Sequence, residues 1–419
     1  MDQLVISGGR QLKGTIPIYG AKNATLPILA GCLLASEPVT LENVPDLEDI
    51  RTMLELLNYL GAETRHLGSG RLYVDPRGFR GWDAPYELVR KMRASFLILA
   101  PVLAVQGRSR VSLPGGCAIG SRPIDLHLKG LRALGAKIRM GYGFIEVQAE
   151  KLKGEEVYLD YPSVGATENL VMAACLAEGK TVITNCAQEP EVVDLANFLN
   201  SLGAKVRGAG SDRIEIEGVA ALGGHPGYRI IGDRIEAGTY LAAAAVTGGE
   251  IELVGVDPAH LRPVLAKLRE LGAELAETDT TIKIRRSRRL NSVDITTLPY
   301  PGFPTDLQPI FTAVCSLAGG VSVIRETVFE NRFRFTSELA RMGANIKIEG
   351  NVALVYGVST LYGTEVTAFD LRGGAALVVA ALAARGTTKI SCLHHLDRGY
   401  ADLEQKLRAV GAEITRVTA

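Results

Sequence analysis

The sequence has no excess of charge of either sign: 46 Lys and Arg balance 46 Asp and Glu over 419 residues. No global field therefore favours nucleic acid or an anionic membrane surface, and charge-driven chemistry must come from local clusters. An apolar stretch of about 18 residues is lacking, as is a charged-then-apolar leader, so neither a membrane span nor a signal peptide is indicated and the cytoplasm is expected. The six cysteines show no paired or Cys-x-x-Cys spacing, which argues against a disulfide framework or a zinc site. Cys32, Cys175 and Cys315 fall in apolar helical runs, where a free thiol behaves as a small hydrophobe.

What the sequence does have is repetition. Leu60-Gly61-Ala62 returns as Leu134-Gly135-Ala136, Leu202-Gly203-Ala204, Leu271-Gly272-Ala273, Met342-Gly343-Ala344 and Val410-Gly411-Ala412. The spacing is roughly 70 residues, long enough for a module of two helices and several strands and too long for a helical-hairpin solenoid. Ahead of each phrase lies an apolar, small-residue run, at 26–34, 96–105, 169–176, 240–246, 310–317 and 375–383. A β-branched run follows it, as at 181–184 and 250–253, where the hydrophobic period shifts from near 3.6 to near 2. One module therefore reads strand, helix, strand, helix, strand.

The Ala- and Leu-rich helices are apolar nearly all round and are expected to be buried, whereas those before each Leu-Gly-Ala, such as 261–271, are amphipathic. Three buried helices wrapped by sheets make one domain. Each Gly of the repeated phrase is expected at C′ in the left-handed conformation. Six modules form two sets of three, and two domains suit this length, with a boundary near Gly227 to Asp233. The basic run from Arg285 to Arg289 lacks aromatic interleaving and reads as a solvated loop.

Six places carry chemistry. Cys117 lies in a Gly- and Pro-rich loop from Pro114 to Pro123 and is expected to be exposed. Such a segment is either a flexible surface turn or a loop that closes over a ligand, with Arg122 near the thiol. Lys22-Asn23 open the first buried helix, where unpaired N–H groups suit an anion, although a solvated lysine is the simpler reading. Asp370-Leu371-Arg372 open the sixth in the same way, Arg332 precedes the amphipathic helix of the fifth module, and Arg398 precedes the last amphipathic helix. Equivalent positions in pseudo-symmetric modules converge, so these cations are candidates to surround one small anion at a domain interface. Asp306 enters the fifth buried helix either as a first-turn carboxylate or as a general base.

With Gly20-Ala21-Lys22-Asn23-Ala24, Gly116 to Pro123, Phe303-Pro304-Thr305-Asp306 and Asp370-Leu371-Arg372 in view, the chain resembles the enolpyruvyl transferases from end to end, in particular those that take a UDP-sugar. The resemblance implies an α/β fold of two inside-out α/β barrels, each of three repeated units, with the active site in the interdomain cleft. It implies domains of 22–228 and of 1–21 plus 229–419. The implied reaction moves the enolpyruvyl group of phosphoenolpyruvate to the 3′-hydroxyl of UDP-N-acetylglucosamine with release of phosphate, the first committed step of peptidoglycan precursor synthesis. Neither metal nor organic cofactor is implied, nor any nucleic-acid or membrane partner, and a monomer is expected.

In that resemblance Cys117 is the proton donor and fosfomycin target, and Asp306 is the base. Lys22, Arg122, Arg332, Arg372 and Arg398 neutralise phosphate and carboxylate. The nucleotide sugar falls to Asn23, Arg93, Arg122, Pro123, Ile124, Asp125, Leu126, Ser163, Val164, Gly165, Asp306 and Val328. Some members carry a lysine just before the Ser-Val-Gly segment where this chain has Tyr161-Pro162, which puts affinity rather than reaction type in question. The rivals are the sister enzyme acting on shikimate 3-phosphate, against which Lys22-Asn23-Ala24-Thr25 and Cys117 argue, and a catalytically silent nucleotide-sugar binder.

Overall fold

The computed structural model describes residues 2–113, 120, 123–286 and 289–418. Among them, those up to Tyr19 together with those from Gly232 onward cluster as one compact unit, the terminal unit. Residues 20–113 and 123–231 cluster as the other, the inserted unit.

Each unit holds three four-stranded sheets of identical order. In the sheet containing Lys180–Thr184, that strand runs parallel to Glu156–Tyr158 and antiparallel to Arg213–Glu217, which in turn pairs antiparallel with Lys205–Arg207. A buried helix connects the parallel pair, and an amphipathic helix leads into the hairpin. The module thus has one strand more than the sequence pattern suggests. The run after each Leu-Gly-Ala folds back on itself, as at Gly208 to Ser211, because a glycine-rich turn divides it into two short strands.

Six core helices lie inside the sheets. The inserted unit has Lys22–Gly31, Leu99–Gln106 and Val164–Ala174, and the terminal unit has Arg234–Thr247, Gln308–Cys315 and Leu371–Ala383. Helices inside and sheets outside make each unit an inside-out α/β barrel. Several core helices start before the apolar run does, because their first turns bury polar side chains: Lys22, Thr167, Arg234, Gln308 and Arg372 are all under 10% exposed. Among these are two of the candidate cations, Lys22 and Arg372.

The six repeated glycines end amphipathic helices, with φ between 93° and 104°. The N–H of the following Ala returns to the carbonyl of the residue five back, from Ala62 to Leu57 through Ala412 to Leu407, at 2.9 to 3.1 Å. This is the Schellman closure, and a Cβ at the glycine would cost about 1 kcal/mol by straining a left-handed residue.

Three sheets are completed by strands remote in sequence. Asp2–Ser7 lies between Thr387–Ser391 and Glu413–Thr418, pairing Leu4 with Ile390 and Ile6 with Ile414, so the first strand finishes the last module. Lys13–Pro17 pairs parallel with Glu250–Val254 in the terminal unit, and His225–Arg229 pairs parallel with Val39–Glu42 in the inserted unit.

Candidate functional site

In the terminal unit, three predicted residues meet. Asp306 lies in a 3-10 turn, Thr305–Leu307, that feeds the core helix Gln308–Cys315. Arg332 Nη2 donates to its Oδ1 at 2.8 Å, and Arg372 Nε and Nη2 donate to its Oδ2 at 3.1 and 3.0 Å. Both arginines are nearly inaccessible, at 2% and 3%, while Asp306 is partly exposed. Burial works against the Arg372 guanidinium, yet the Asp306 charge, with Tyr400 beside it, holds its pKa above the ordinary arginine value. Asp370 caps the last core helix by accepting from Arg372 N and Gly373 N, which fixes the start of the arginine's path.

Among the described residues, Arg332 Nε and Arg372 Nη1 are buried donors without a hydrogen-bond partner. A buried guanidinium N–H left unmet is costly, and a ligand bearing anionic oxygens would meet both. Arg398 lies half-buried in the turn that also carries Tyr400, whose ring is 5.4 Å from the Arg372 guanidinium carbon. Val328 lies on the loop between Glu326 and Arg332.

In the inserted unit, Lys22 is the first residue of its core helix, and its Nζ donates to Asp49 Oδ2 at 3.2 Å, with both residues buried. The sequence reading left Lys22 solvated or facing an anion and missed Asp49. Asn23 follows it, half-buried. Ser163 accepts from Ala166 N and so caps the core helix that Val164 and Gly165 open. Ile124 and Asp125 start the helix Asp125–Ala133, with Leu126 next and Pro123 exposed ahead of it.

His127, which sequence reasoning missed, joins these segments. A Cβ placed on Gly165 would lie 3.2 Å from His127 Cε1, so the ring passes directly over that glycine. Enclosure of the ring, and then the charge of Arg93, depress the His127 pKa to about 3. The neutral ring faces Asn169, whose Nδ2 is 3.0 Å from Nδ1; an amide nitrogen only donates, so Nδ1 accepts and Nε2 carries the proton. Asn169 is fully buried, accepts from Ala100 N, and also donates to Gly165 O and Phe96 O. A polar residue inside an apolar helical run was the available signal for it.

Tyr161, just ahead of Ser163, is 43% exposed. Arg286 departs from the solvated reading: it is half-buried, with Nη2 donating to Val246 O at the end of a core helix. Cys117 and Arg122 lie outside the described residues. Cys32, Cys175 and Cys315 are buried as expected, and burial raises the last two thiols to about 12.

The family model of EPSP synthase (3-phosphoshikimate 1-carboxyvinyltransferase) matches residues 6–407. Among similar chains, UDP-N-acetylglucosamine 1-carboxyvinyltransferase 1 of Caldanaerobacter subterraneus subsp. tengcongensis is 54% identical, with 99% of each chain covered. UDP-N-acetylglucosamine 1-carboxyvinyltransferase 2 of Carboxydothermus hydrogenoformans is 55% identical over the whole of both chains. Among solved structures, the enolpyruvyl transferase NikO from Streptomyces tendae superposes with a TM-score of 0.90 at 27% identity, covering 100% of this chain and 99% of that one. An EPSP synthase from Acinetobacter baumannii, at 19% identity and a TM-score of 0.79 over the whole of both chains, shares the fold. With the family model spanning nearly all of the sequence and relatives above half identical along its full length, the chain belongs to the EPSP synthase family of enolpyruvyl transferases.

Proposed function

We propose that this chain transfers the enolpyruvyl group of phosphoenolpyruvate to the 3′-hydroxyl of UDP-N-acetylglucosamine and releases phosphate, in the synthesis of peptidoglycan precursors. The observation that carries the reading is the pair of buried, unpartnered guanidinium donors flanking one carboxylate. The full-length identity to chains bearing that enzyme's name selects the acceptor. The two compact units are read as its two domains, with boundaries near Lys22 and Tyr228. The enzyme is read as a cytoplasmic monomer that needs neither metal nor organic cofactor.

In this reading, C2 of the enol ether becomes electrophilic when C3 takes a proton from Cys117. The sugar 3′-oxygen then attacks C2 and gives its proton to Asp306, forming a tetrahedral adduct. Loss of a proton from C3 and cleavage of the bond from C2 to the phosphate oxygen regenerate the enol ether on the sugar. A carboxylate offers about four acceptor positions, and the two arginines fill three of those on Asp306. An arriving phosphate or carboxylate competes for the same guanidinium groups and frees lone pairs for the hydroxyl, so base and anion site are coupled. Lys22 and Arg398 complete the cationic set, and Asn23, Arg93, Arg122, Pro123 to Leu126, Ser163 to Gly165 and Val328 receive the nucleotide sugar.

The test is phosphate release from phosphoenolpyruvate by purified protein, with UDP-N-acetylglucosamine in one arm and shikimate 3-phosphate in the other. Release with the first acceptor alone is expected. Release with the second alone assigns the sister activity, and release with neither overturns the reading.

A further inference from the structure

Glu326 follows the strand Val321–Arg325 and is 2% exposed, yet no cation pairs with its side chain among the described residues. Hydrogen bonds meet its charge instead. Oε1 accepts from Thr297 Oγ1 at 2.8 Å, Val328 N at 2.8 Å and Phe329 N at 3.2 Å, and Oε2 accepts from Thr305 Oγ1 at 2.9 Å. Its backbone is fixed as well: Glu326 N donates to Asn351 O, and Asn351 Nδ2 donates to Glu326 O.

These four donors come from three separate segments, and two of the segments carry the site. Thr305 adjoins Asp306, and its carbonyl accepts from Arg332 Nη2 at 3.3 Å. Val328 and Phe329 begin the loop that ends at Arg332. Burying a carboxylate is expensive, and apolar packing would stabilise the strand end more cheaply. What the carboxylate supplies is four accepting positions on a rigid base, which an apolar side chain cannot imitate.

We propose that Glu326 is the positioning residue of the terminal half of the site, holding the Asp306 turn and the Val328 loop in register for the acceptor hydroxyl. The inference rests on the functional reading above and adds to it a residue that touches no substrate. Glu326 acts through Thr305 on the base and through the Val328 and Phe329 amides on the sugar-facing loop.

The decisive variant is Thr305→Val, which keeps the shape and the carbonyl contact to Arg332 and deletes only the hydroxyl. The expected result is a folded protein whose kcat for phosphate release falls about tenfold or more, since small displacements of a base are costly. Binding of UDP-N-acetylglucosamine, titrated by calorimetry, should stay within about threefold of the parent because the phosphate and uracil contacts lie elsewhere. Thr305→Ser should restore most of the rate. Glu326→Gln, which keeps the three bonds to Oε1 and turns its amide toward Thr305, should fall between the parent and Glu326→Ala. Parental kcat in Thr305→Val, or a loss explained entirely by a smaller sugar-binding fraction, overturns the inference. A parent protein that releases no phosphate overturns the functional reading and the inference with it. Should Glu326→Ala fail to fold, the threonine variants decide the matter without it.

Discussion

In the terminal unit the buried polar hub is a carboxylate, Glu326, that only accepts, whereas in the inserted unit it is an amide, Asn169, that donates through Nδ2 and accepts through Oδ1. Each is almost wholly buried, and each ties chain segments bearing site residues. The difference follows what they organise. The carboxylate gathers hydroxyls and amides beside Asp306, next to arginines already bound to a carboxylate. The amide holds a neutral imidazole and carbonyls beside a helix start. The two hubs occupy different places in the module, one within a core helix and the other just after the strand that follows such a helix, so the repeated fold offers more than one place for a buried polar hub.

The largest expected effect lies in the terminal unit. Arg372→Ala should lower kcat/KM for phosphoenolpyruvate at least about a hundredfold, roughly 3 kcal/mol, because it removes a buried charge-assisted contact. Arg372→Lys should recover little, since an ammonium lacks the planar guanidinium edge whose Nε and Nη2 converge on Asp306 Oδ2. Steady-state kinetics within threefold of the parent for the alanine variant would remove Arg372 from the anion site.

Editing the two hubs in opposite directions sharpens the contrast. Asn169→Asp destroys the donations to His127, Gly165 and Phe96 and buries a charge, and should cost about 2 to 4 kcal/mol in urea unfolding. Glu326→Gln retains three of four bonds and should cost about 1 kcal/mol. Equal losses would show that the hubs are interchangeable.

Acid–base behaviour tests the burial around the inserted unit's hub. Glu168, beside Asn169 in sequence, is raised well above the ordinary glutamate value, first by burial and then by Glu191 and Glu189. A carboxyl with a raised folded-state pKa stabilises the native state below its unfolded value, and that contribution is lost as pH rises toward the folded value. Unfolding free energy measured at pH 6 and pH 8 should therefore fall with pH, and Glu168→Gln should flatten the slope and raise stability at pH 8. An unchanged slope would mean that Glu168 is ionised in the native protein.

The smallest effect is the absence of one. Fosfomycin or iodoacetamide should modify Cys117 and leave Cys32, Cys175 and Cys315 untouched, read by peptide mass, because burial suppresses thiolate formation in the core. Labelling of Cys315 in native protein would contradict the packing of its helix.

Much of the fold was legible because it depends on local rules applied six times. Left-handed glycines, amphipathic helices and apolar core helices each leave a mark within about ten residues, and Gly61, Gly203 and Gly411 behave alike. The hairpin's second strand was missed because its segments are short and share one β-branched run. Polar residues hid where some core helices start: Thr167 and Glu168 lie ahead of the apolar run at 169–176 yet are buried within the helix Val164–Ala174. The site was less legible. Asp306, Arg332 and Arg372 meet in the structure, but Glu326, which holds the turn beside them, and the inserted unit's Asp49, His127 and Asn169 are set by contacts spanning up to 69 residues. No periodicity encodes such pairs.

The strand Asp2–Ser7, bracketed by Thr387–Ser391 and Glu413–Thr418, has a consequence for biosynthesis. A ribosome delivers every strand of the inserted unit by Arg229, so that unit can close before Thr387–Ser391 is made. The terminal unit must wait: Asp2–Ser7 stays without its sheet neighbours until Thr387–Ser391 and Glu413–Thr418 emerge. The nascent chain carries that unpaired strand until then, and a product stalled between Arg229 and Thr387 is left with one finished barrel and one open sheet, the form that chaperones and proteases would meet.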